Sequence, residues 1–449
     1  MTAPGYHSFG LATPPARHAL SPRVAIAAIE AGDSTGRPFL AYGNGRSYGD
    51  SCQPYAGTVI DMRSLNRILS FDRETGVIEA EAGVLLSDII AHVAPHGFFP
   101  AVVPGTQLVT LGGAIANDVH GKNHHRSGTF GRHVESLRLL RSDGQVRHCS
   151  AVSEASLFSA TIGGMGLTGL ILSATIRLMR VSSLDIDETV TRFRDLDEYF
   201  DLAEAADAAN EYAVAWIDQL ASGRRAGRGL LMTGNHAAEG NRSASDPRAR
   251  LSVPFRPPLS LLNRASLSLF NAAYHWKKGS GAGAGKASYQ GFFFPLDGVG
   301  NWNRLYGPRG LFQHQSVIPL DRARATVPQM LAATRAMRQS SFLTVLKRFG
   351  DVPSPALISF PRPGYTLTLD FPNGGEATLK LLAELDAITV AAGGAVNPYK
   401  DARMGPAIFA ASFPHWRQLE AMRDPAFLSA FWARTAHRLA AHGKSVAAV

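Results

Sequence analysis

The chain contains 449 residues, of which 45% are hydrophobic and 18% are charged, a composition typical of a soluble globular protein. This length exceeds what one hydrophobic core usually supports, so we expect two domains, and the lack of any run of about 18 apolar residues excludes a membrane-spanning helix. The net charge of +9 indicates an anionic partner, but the 45 Lys and Arg residues form no run longer than a pair. That scatter excludes nucleic acid as the expected partner and leaves a phosphorylated substrate or a membrane surface.

The cysteine content and the amino-terminal residues indicate the cellular compartment in which the protein is expected. Cys52 and Cys149 are too few for a disulfide framework or a metal site, so we expect reduced thiols and no metal. The first twenty residues lack the basic and apolar regions of a secretory signal. We expect a cytoplasmic protein, with a peripheral position on the inner membrane as an extension, and the residues leave a periplasmic location open.

The first third of the chain mixes helix and strand signals. Residues 21–32 begin with a capping serine and a proline and end with a glycine, which predicts a helix. The same criteria predict strands at 57–62, 76–82 and 171–179, a helix at 86–93, and a hairpin of 137–140 with 145–148 across Asp143-Gly144. The first domain is therefore predicted to be α+β and to end near residue 183.

Two glycine-rich stretches interrupt this domain. Residues 41–52 read AYGNGRSYGDSC and residues 101–132 read AVVPGTQLVTLGGAIANDVHGKNHHRSGTFGR. Glycine lets backbone N–H groups approach a phosphate closely, so both stretches favour a phosphate-bearing cofactor. Neither has the spacing of a Rossmann fingerprint or a P-loop. The alternative is that the glycines are turn residues of an all-β meander and the histidines lie in a solvated loop.

The pattern changes after residue 183, where glycine becomes less frequent. A helix at 196–210 and a strand at 212–218 precede an irregular, flexible segment at 235–290, in which GSGAGAG at 279–285 is typical of a linker. The further elements are predicted as strands at 291–297, 313–318, 342–349 and 365–371, helices at 323–338 and 376–392, and a helical tail at 407–439 broken at Asp424-Pro425.

Residues 259–276, LSLLNRASLSLFNAAYHW, have apolar side chains at roughly helical spacing and precede Lys277 and Lys278. They predict either a core helix or an interfacial element that meets lipid.

Several motifs together resemble one family. A G-x-G-R-S loop at 43–47, PGT at 104–106 with GGAIA at 112–116, and GG-x-G-L-T-G at 163–169 resemble the PCMH-type FAD-binding domain of the vanillyl-alcohol oxidase superfamily. Within it, HGKNHH at 120–125, WNR-x-YGP at 302–308 and K-D-x-R at 400–403 resemble the decaprenylphosphoryl-β-D-ribose 2′-oxidase family. The resemblance implies an FAD-binding domain at 1–183, a substrate domain at 184–394 with an antiparallel sheet flanked by helices, and a segment at 395–449 that returns to the first domain.

The resemblance also implies the residues that bind FAD. They are Gly43, Asn44, Gly45, Arg46, Ser47, Tyr48, Gly49, Asp50, Gly105, Thr110, Gly112, Gly113, Asn117, His120, Gly121, Ile171 and Asn397. Relatives that bind FAD covalently commonly use a histidine where this chain has Arg46. A guanidinium group cannot form that link, so we expect non-covalent FAD with Arg46 free to contact a phosphate.

Oxidation of an alcohol by a flavin also needs a group that takes the hydroxyl proton. Lys400 matches the lysine that the family holds beside the flavin, and burial would lower its pKa toward neutrality, as suits a base. The alternative is a surface lysine paired with Asp401. The same resemblance implies that His120 and Tyr48, with Lys122, face the isoalloxazine ring and the substrate phosphate, and His120 and Tyr48 are expected to be catalytic with Lys400.

Six positions are expected to bind substrate. Lys122, Gln315 and Lys347 match family residues, although the last two could equally lie on the exposed face of a strand. At three further positions this chain departs from the family: Thr366 replaces an asparagine, Thr368 a reactive cysteine, and Phe293 a tyrosine. Loss of the thiol should remove sensitivity to thiol-trapping nitroaromatic inhibitors.

The expected function is FAD-dependent oxidation of the 2-hydroxyl of a polyprenyl-phosphate-linked ribofuranose to a 2-keto sugar, with an NAD(P)H-dependent keto-reductase as partner. This would be the first half of epimerisation to an arabinofuranose donor. One alternative is a soluble alditol or aldonolactone oxidase of the same superfamily. Another is an anion-binding protein that has kept the fold without the flavin.

Overall fold

The amino-terminal part holds two sheets in the computed structural model, which describes residues 5–32 and 36–441. A small parallel sheet has the strand order β1-β3-β2, and a larger antiparallel sheet has the order β4-β5-β9-β7-β8 with β6 paired to β9. The strands are β1 (Ala19–Leu20), β2 (Phe39–Tyr42), β3 (Thr58–Asp61), β4 (Ile68–Asp72), β5 (Val77–Glu81), β6 (Phe98–Pro100), β7 (Val134–Leu140), β8 (Val146–Ser150) and β9 (Leu170–Arg180). The helices are α1 (Pro22–Glu30), α2 (Leu86–Val93), α3 (Leu111–Ala116), α4 (His124–Ser127) and α5 (Ala155–Thr161).

Local sequence explains where these helices begin. The Ser21 hydroxyl accepts a hydrogen bond from the Val24 N–H, with Pro22 in the first turn, which confirms the predicted start of α1. Thr110 caps α3 by accepting from the Gly113 N–H at 3.2 Å. Because Thr110 lies in the second glycine-rich stretch, this cap fixes the end of that loop.

The carboxyl-terminal part is built on one antiparallel sheet of eight strands in the order β14-β10-β12-β11-β17-β18-β16-β19. Its strands, with the separate parallel pair β13 and β15, are β10 (Ile186–Phe193), β11 (Tyr212–Ile217), β12 (Gly229–His236), β13 (Leu251–Ser252), β14 (Gly283–Ala287), β15 (Val299–Gly300), β16 (Leu311–Ile318), β17 (Thr344–Phe349), β18 (Gly364–Pro372) and β19 (Ala395–Val396). The helices are α6 (Leu196–Ala209), α7 (Arg264–Ser280), α8 (Tyr289–Phe293), α9 (Leu320–Ala336) and α10 (Glu376–Ala391).

One face of this sheet forms a second hydrophobic core. Leu346, Leu367 and Leu369 are fully buried on it and pack with side chains of α6, α9 and α10. Because side chains alternate along a strand, the residues between these leucines point to the opposite face. That opposite face is turned toward the amino-terminal part.

Two sequence predictions in this region were wrong. Residues 291–297 were expected to form a strand, but α8 ends at Phe293 and a 3₁₀ turn follows; the Ser288 hydroxyl accepts from the Gly291 N–H and starts the helix. A short apolar run does not distinguish a strand from a buried helix. Residues 279–285 were expected to be a linker, but Gly283–Ala287 pairs with β10 as the edge strand. Glycine leaves the backbone able to form a ladder, and an edge position needs few side-chain contacts.

The last part of the chain contacts the amino-terminal part. It contains α11 (Pro406–Ser412), α12 (Trp416–Met422) and α13 (Ala430–Trp432), followed by a π-helical turn at Ala433–His437. The predicted break at Asp424 is confirmed: its carboxylate accepts from the Ser142 N–H at 2.8 Å, and the Phe427 ring lies 6.2 Å from that of Phe39.

Candidate active site

A cavity of about 600 Å³ lies between the two glycine-rich loops and the open face of the eight-stranded sheet. Residues 41–48 and 103–122 form one side of it, and β11, β16, β17 and β18 supply side chains from the other. Lys400 reaches the same cavity from the carboxyl-terminal segment. Residues from three distant parts of the sequence therefore line one cavity.

The two loops approach each other through glycine. A Cβ atom on Gly43 would lie 2.5 Å from the Thr110 hydroxyl oxygen, and the Asn44 amide donates to the Leu108 carbonyl at 2.8 Å. Gly45 has a φ of +62°, a conformation that other residues adopt at a cost. Gly105 lies in the wall and is exposed, with no heavy atom within 4 Å of where its Cβ would be.

The charges around the cavity suit an anion. Its lining residues include five cations, Arg46, Lys122, Lys278, Lys347 and Lys400, against two carboxylates, Glu188 and Asp297. The Arg46 Nε is buried and has no hydrogen-bond partner within the described part of the chain, and burial lowers the pKa of Arg46. A pyrophosphate beside Arg46 would supply that partner, so the residues present fit a dinucleotide.

Strand register brings the predicted sugar-pocket residues together. Gln315 of β16 is opposite Thr368 of β18, and Thr366 of β18 is opposite Lys347 of β17. Paired residues in antiparallel strands point to the same face, so all four point away from the leucine core. Gln315, Lys347 and Thr368 line the cavity, as does Phe293, which stacks on Phe99 with ring centroids 5.4 Å apart.

A chain of hydrogen bonds fixes His120. The Asn397 side-chain amide donates to Gln315 Oε1 at 2.9 Å. The Gln315 side-chain amide Nε2 donates to Thr366 Oγ1 at 3.0 Å and contacts His120 Nε2 at 3.1 Å. Since that amide is a donor, His120 Nε2 acts as the acceptor and the ring proton is on Nδ1. Burial, together with Lys347 and Lys400 nearby, holds the pKa of His120 well below its usual value, so the ring is neutral.

Lys122 and Lys347 are half-buried lysines that form no ion pair within 4 Å in the described structure, although the Glu188 carboxylate is near enough to raise the pKa of Lys122. The Lys122 ammonium donates to the Phe292 carbonyl and lies 4.4 Å from the centre of the Phe292 ring. The Lys347 ammonium donates to the Gly121 carbonyl at 3.3 Å. Burial lowers the pKa of each to about 7, so both amines exchange protons readily near neutral pH and would gain charge beside a bound anion.

Lys400 lies among aromatic and polar groups. Its ammonium is 5.2 Å from the centre of the Tyr48 ring, and burial lowers its pKa to about 8, while the Asp370 carboxylate acts in the opposite direction. Asp370 is fully buried, accepts a hydrogen bond from the Gln313 amide, and has a pKa raised by burial to about 7. An amine with this pKa can take a proton from an alcohol near neutral pH.

Three of the predicted site residues do not reach the cavity. A Cβ on Gly49 would overlap the Asp401 carbonyl oxygen, so this glycine allows the loop to contact the carboxyl-terminal segment. Asp50 forms an ion pair with Arg434 at 2.8 Å, which ties the same two segments together. The Thr366 hydroxyl accepts from Gln315 and lies behind it. For these three, the structure shows contacts that support the loops and the sheet, and a role by direct contact with FAD or substrate stays a prediction.

The other predicted positions line the cavity. Besides those already described, they are Gly43, Asn44, Gly45, Ser47, Gly105, Thr110, Gly112, Gly113, Asn117, Gly121, Ile171 and Asn397.

Gln313 and Asp370 lie near Lys400 and were not predicted from the sequence. Gln313 is two residues from Gln315, and Asp370 is two residues from Thr368, on strands that were predicted. This spacing places each pair on the same face of its strand and could have identified both residues. The sequence analysis also missed Trp216, Tyr274 and the Glu188–Lys278 ion pair of 2.6 Å, which line the far end. These come from segments with no recognisable motif.

Comparisons with known proteins agree with this geometry. A family model for the FAD binding domain matches residues 21–150. Decaprenylphosphoryl-β-D-ribose oxidase from Mycolicibacterium smegmatis is 36% identical over 420 residues, which cover 90% of each chain. A Streptomyces coelicolor protein described as an uncharacterized protein in the mprA 5′ region is 34% identical over 368 residues, 77% of this chain and 97% of its own. L-gulonolactone oxidase from Mus musculus is 33% identical over 121 residues, 27% of each chain.

The FAD-binding match, the fold and the cavity define an FAD-dependent oxidoreductase with an α+β, PCMH-type FAD-binding fold. The 36% identity to the Mycolicibacterium smegmatis protein extends over 90% of both chains. The chain therefore belongs to the decaprenylphosphoryl-β-D-ribose oxidase family.

The cofactor is FAD, and the glycine loops with Arg46 and Asn117 are the residues that would hold it. When bound, it supplies a two-electron acceptor that can take a hydride from an alcohol carbon. Within residues 5–32 and 36–441, no group of three or more His, Cys, Asp or Glu side chains could hold a metal ion.

Proposed function

We propose that the protein oxidises the 2-hydroxyl of a polyprenyl-phosphate-linked ribofuranose to a 2-keto sugar. The Mycolicibacterium smegmatis relative is named as a decaprenylphosphoryl-β-D-ribose oxidase, and its 36% identity to this chain supports this substrate class. The reaction would be the first half of epimerisation to an arabinofuranose donor for arabinan in the cell envelope.

The observation that carries the proposal is the set of three half-buried lysines, Lys122, Lys347 and Lys400, that line one cavity. A buried cation is costly unless an anion or hydrogen-bond acceptor compensates it. FAD accounts for charge near Arg46, in the first glycine loop. Lys122 on the second glycine-rich loop and Lys347 on β17 need a second anionic group to compensate their charges. The phosphodiester of a lipid-linked sugar is such a group, whereas a neutral polyol carries no charge.

Each lysine has a role in the proposed reaction that follows from its place in the cavity. Lys400, as the free amine, accepts the proton of the reacting hydroxyl. Lys122 and Lys347 bind the phosphate when protonated. Gln315 and Thr368 offer an amide and a hydroxyl to the ribose, while neutral His120 and Tyr48 complete the wall beside the reacting carbon.

A keto-sugar product needs a second enzyme. We propose an NAD(P)H-dependent keto-reductase as the partner that converts the 2-keto sugar to the arabinose epimer. Because the lipid-linked substrate resides in a membrane, we also propose peripheral membrane association. No helix in the described residues is long and apolar enough to cross a membrane.

Anaerobic flavin bleaching tests the substrate class. The purified holoprotein is mixed with polyprenyl-phosphoryl ribose, with the corresponding arabinose, with free pentoses, and with alditols and aldonolactones. Bleaching by the phosphoryl ribose, with release of the 2-keto sugar detected by mass spectrometry, is expected. Bleaching by free polyols or lactones alone would replace the proposal with a soluble alditol or aldonolactone oxidase.

A further inference from the structure

Helix α7 buries the polar Asn271 beside Leu267 against the protein and leaves large apolar side chains exposed on its outer face. Asn271 and Lys278 face the protein, where the Asn271 amide donates to Asp218 at 2.9 Å and Lys278 pairs with Glu188 at 2.6 Å. Leu269 and Trp276 are on the outer face and are 74% and 71% exposed. These two lie seven residues apart, one above the other on the helix, with the exposed Ala272 and Ala273 between them.

Further apolar side chains are exposed in the segment that leads into α7. Half of the exposed large apolar residues in the described structure fall within residues 251–276: Leu251, Phe255, Leu259, Leu261, Leu269, Phe270 and Trp276. Scattered apolar side chains are ordinary on a surface, but this concentration within 26 residues marks an interaction site.

The charge of this segment has one sign. Residues 247–278 contain six Lys and Arg residues and no Asp or Glu. Among them Arg250, Arg256, Arg264 and Lys277 are exposed, and none forms an ion pair within the described residues. Exposed apolar groups beside unpaired cations match the interface of a bilayer, in which acyl chains lie beneath anionic headgroups.

We infer that residues 248–278, the docking surface, bind the face of a membrane that contains anionic phospholipid. Leu269 and Trp276 enter the boundary between headgroups and acyl chains, and the four unpaired cations contact the lipid phosphates. Each cation at an anionic surface adds roughly fivefold to partitioning. A second copy of the chain is a poorer occupant, since a symmetric contact would bring like charges together.

The docking surface adjoins the cavity. The inner face of α7 contributes Tyr274 and Lys278 to the cavity wall. The Leu261 N–H donates to the Leu305 carbonyl, in the turn Trp302–Tyr306, and Trp302 lines the cavity as well. If the substrate is lipid-linked, which rests on the proposed function, its polyprenyl chain would remain in the bilayer at this edge while the sugar enters.

Vesicle flotation with the FAD-loaded protein tests the docking surface without any substrate. Vesicles of phosphatidylcholine mixed with phosphatidylglycerol are compared with vesicles of phosphatidylcholine alone. The test variant is Leu269→Gln with Trp276→Gln. The matched control is Leu320→Gln with Leu379→Gln, which removes two leucines exposed on other faces. Retained flavin absorbance shows that each variant is folded.

The wild type and the control should float with the mixed vesicles, and the test variant should partition about tenfold less because two apolar groups no longer insert. Binding of the wild type should fall on neutral vesicles. Flotation of the test variant equal to wild type, or absence of wild-type flotation, would overturn the inference. So would a wild-type dimer that the test variant alone dissociates. Since no substrate is present, a failed substrate assignment leaves this result intact.

Discussion

Lys400 depends on its neighbours for its acid–base behaviour. Burial lowers the pKa of its amine to about 8, and the Asp370 carboxylate opposes that shift. The free amine is the form that accepts a proton, so the rate at saturating substrate should rise with pH through about 8 and fall as the solution becomes more acidic. Asp370 is thus a positioning residue for the charge of Lys400.

Replacement of Asp370 tests this coupling. Asp370→Asn removes a negative charge that favours the ammonium form, so the rising limb of kcat against pH should move to lower pH, by about one unit. The matched control is Asp321→Asn on the exposed start of α9, which should leave the profile unchanged. A profile that moves to higher pH, or does not move while flavin content is normal, would contradict the role given to Asp370.

Lys122 should act on binding instead of on the chemical step. Burial lowers its pKa to about 7, and only the protonated form attracts a phosphate, so KM should rise as pH increases above 7. Lys122→Met should raise KM about tenfold or more and flatten this dependence, because a charged hydrogen bond is lost. A matched substitution of the exposed Lys380, also to Met, should change neither quantity.

Because Arg46 occupies the position of the linking histidine, FAD should be bound non-covalently and should dissociate on denaturation. A guanidinium cannot form the histidyl link to the flavin, so acid precipitation should release FAD into the supernatant. Arg46→Met should weaken FAD binding about tenfold to a hundredfold through loss of a charge-assisted hydrogen bond. Flavin fluorescence that stays with the polypeptide on a denaturing gel would show that another residue forms a covalent bond.

The site residues that could be predicted from the sequence are those that belong to short contiguous motifs. The glycine loops and Lys122 belong to short contiguous motifs and line the cavity. Asp50 belongs to the same kind of motif, yet it pairs with Arg434, which is 384 positions away. No local pattern encodes such a partner, and the same limit explains why Asp370 was missed.

At the scale of elements, the strands of the eight-stranded sheet contribute side chains both to a hydrophobic core and to the candidate active site, one on each face of the sheet. Alternation along β17 and β18 sends leucines to the helix-covered face and Lys347 and Thr368 to the cavity. A one-residue slip in register would exchange the two sets. Alternation was readable in the sequence, while the order of the strands and the edge position of β14 depend on non-local pairing.

The contact between the first glycine loop and the carboxyl-terminal segment should be sensitive to volume. Gly49→Ala would force a methyl group into the Asp401 carbonyl, so either the loop or the segment must move. We expect a loss of about 1–3 kcal/mol in the free energy of unfolding, with weaker FAD retention, from thermal melts of the apoprotein and holoprotein.

Gly405→Ala is the matched control, because no heavy atom lies within 4 Å of that added methyl and φ is −78°. Equal melting temperatures for the two variants would contradict a close contact at Gly49.

At the scale of the molecule, the cavity exists only because distant segments close around it. The loops at 41–48 and 103–122 form the FAD side, the sheet forms the opposite wall, and Lys400 arrives from the end of the chain. Helix α7 forms one wall and carries the docking surface outside. This arrangement would let a lipid-linked sugar react inside the protein while its tail stays in the bilayer.

The most direct test of this arrangement is stopped-flow bleaching of bound FAD under anaerobic conditions, in wild type and Lys400→Met loaded with equal amounts of FAD. With saturating polyprenyl-phosphoryl ribose, the variant should retain FAD and bind substrate, but bleach at least about a hundredfold more slowly and without the pH dependence near 8, because the proton acceptor is gone. Bleaching at the wild-type rate with the wild-type pH profile would show that Lys400 does not act on the substrate.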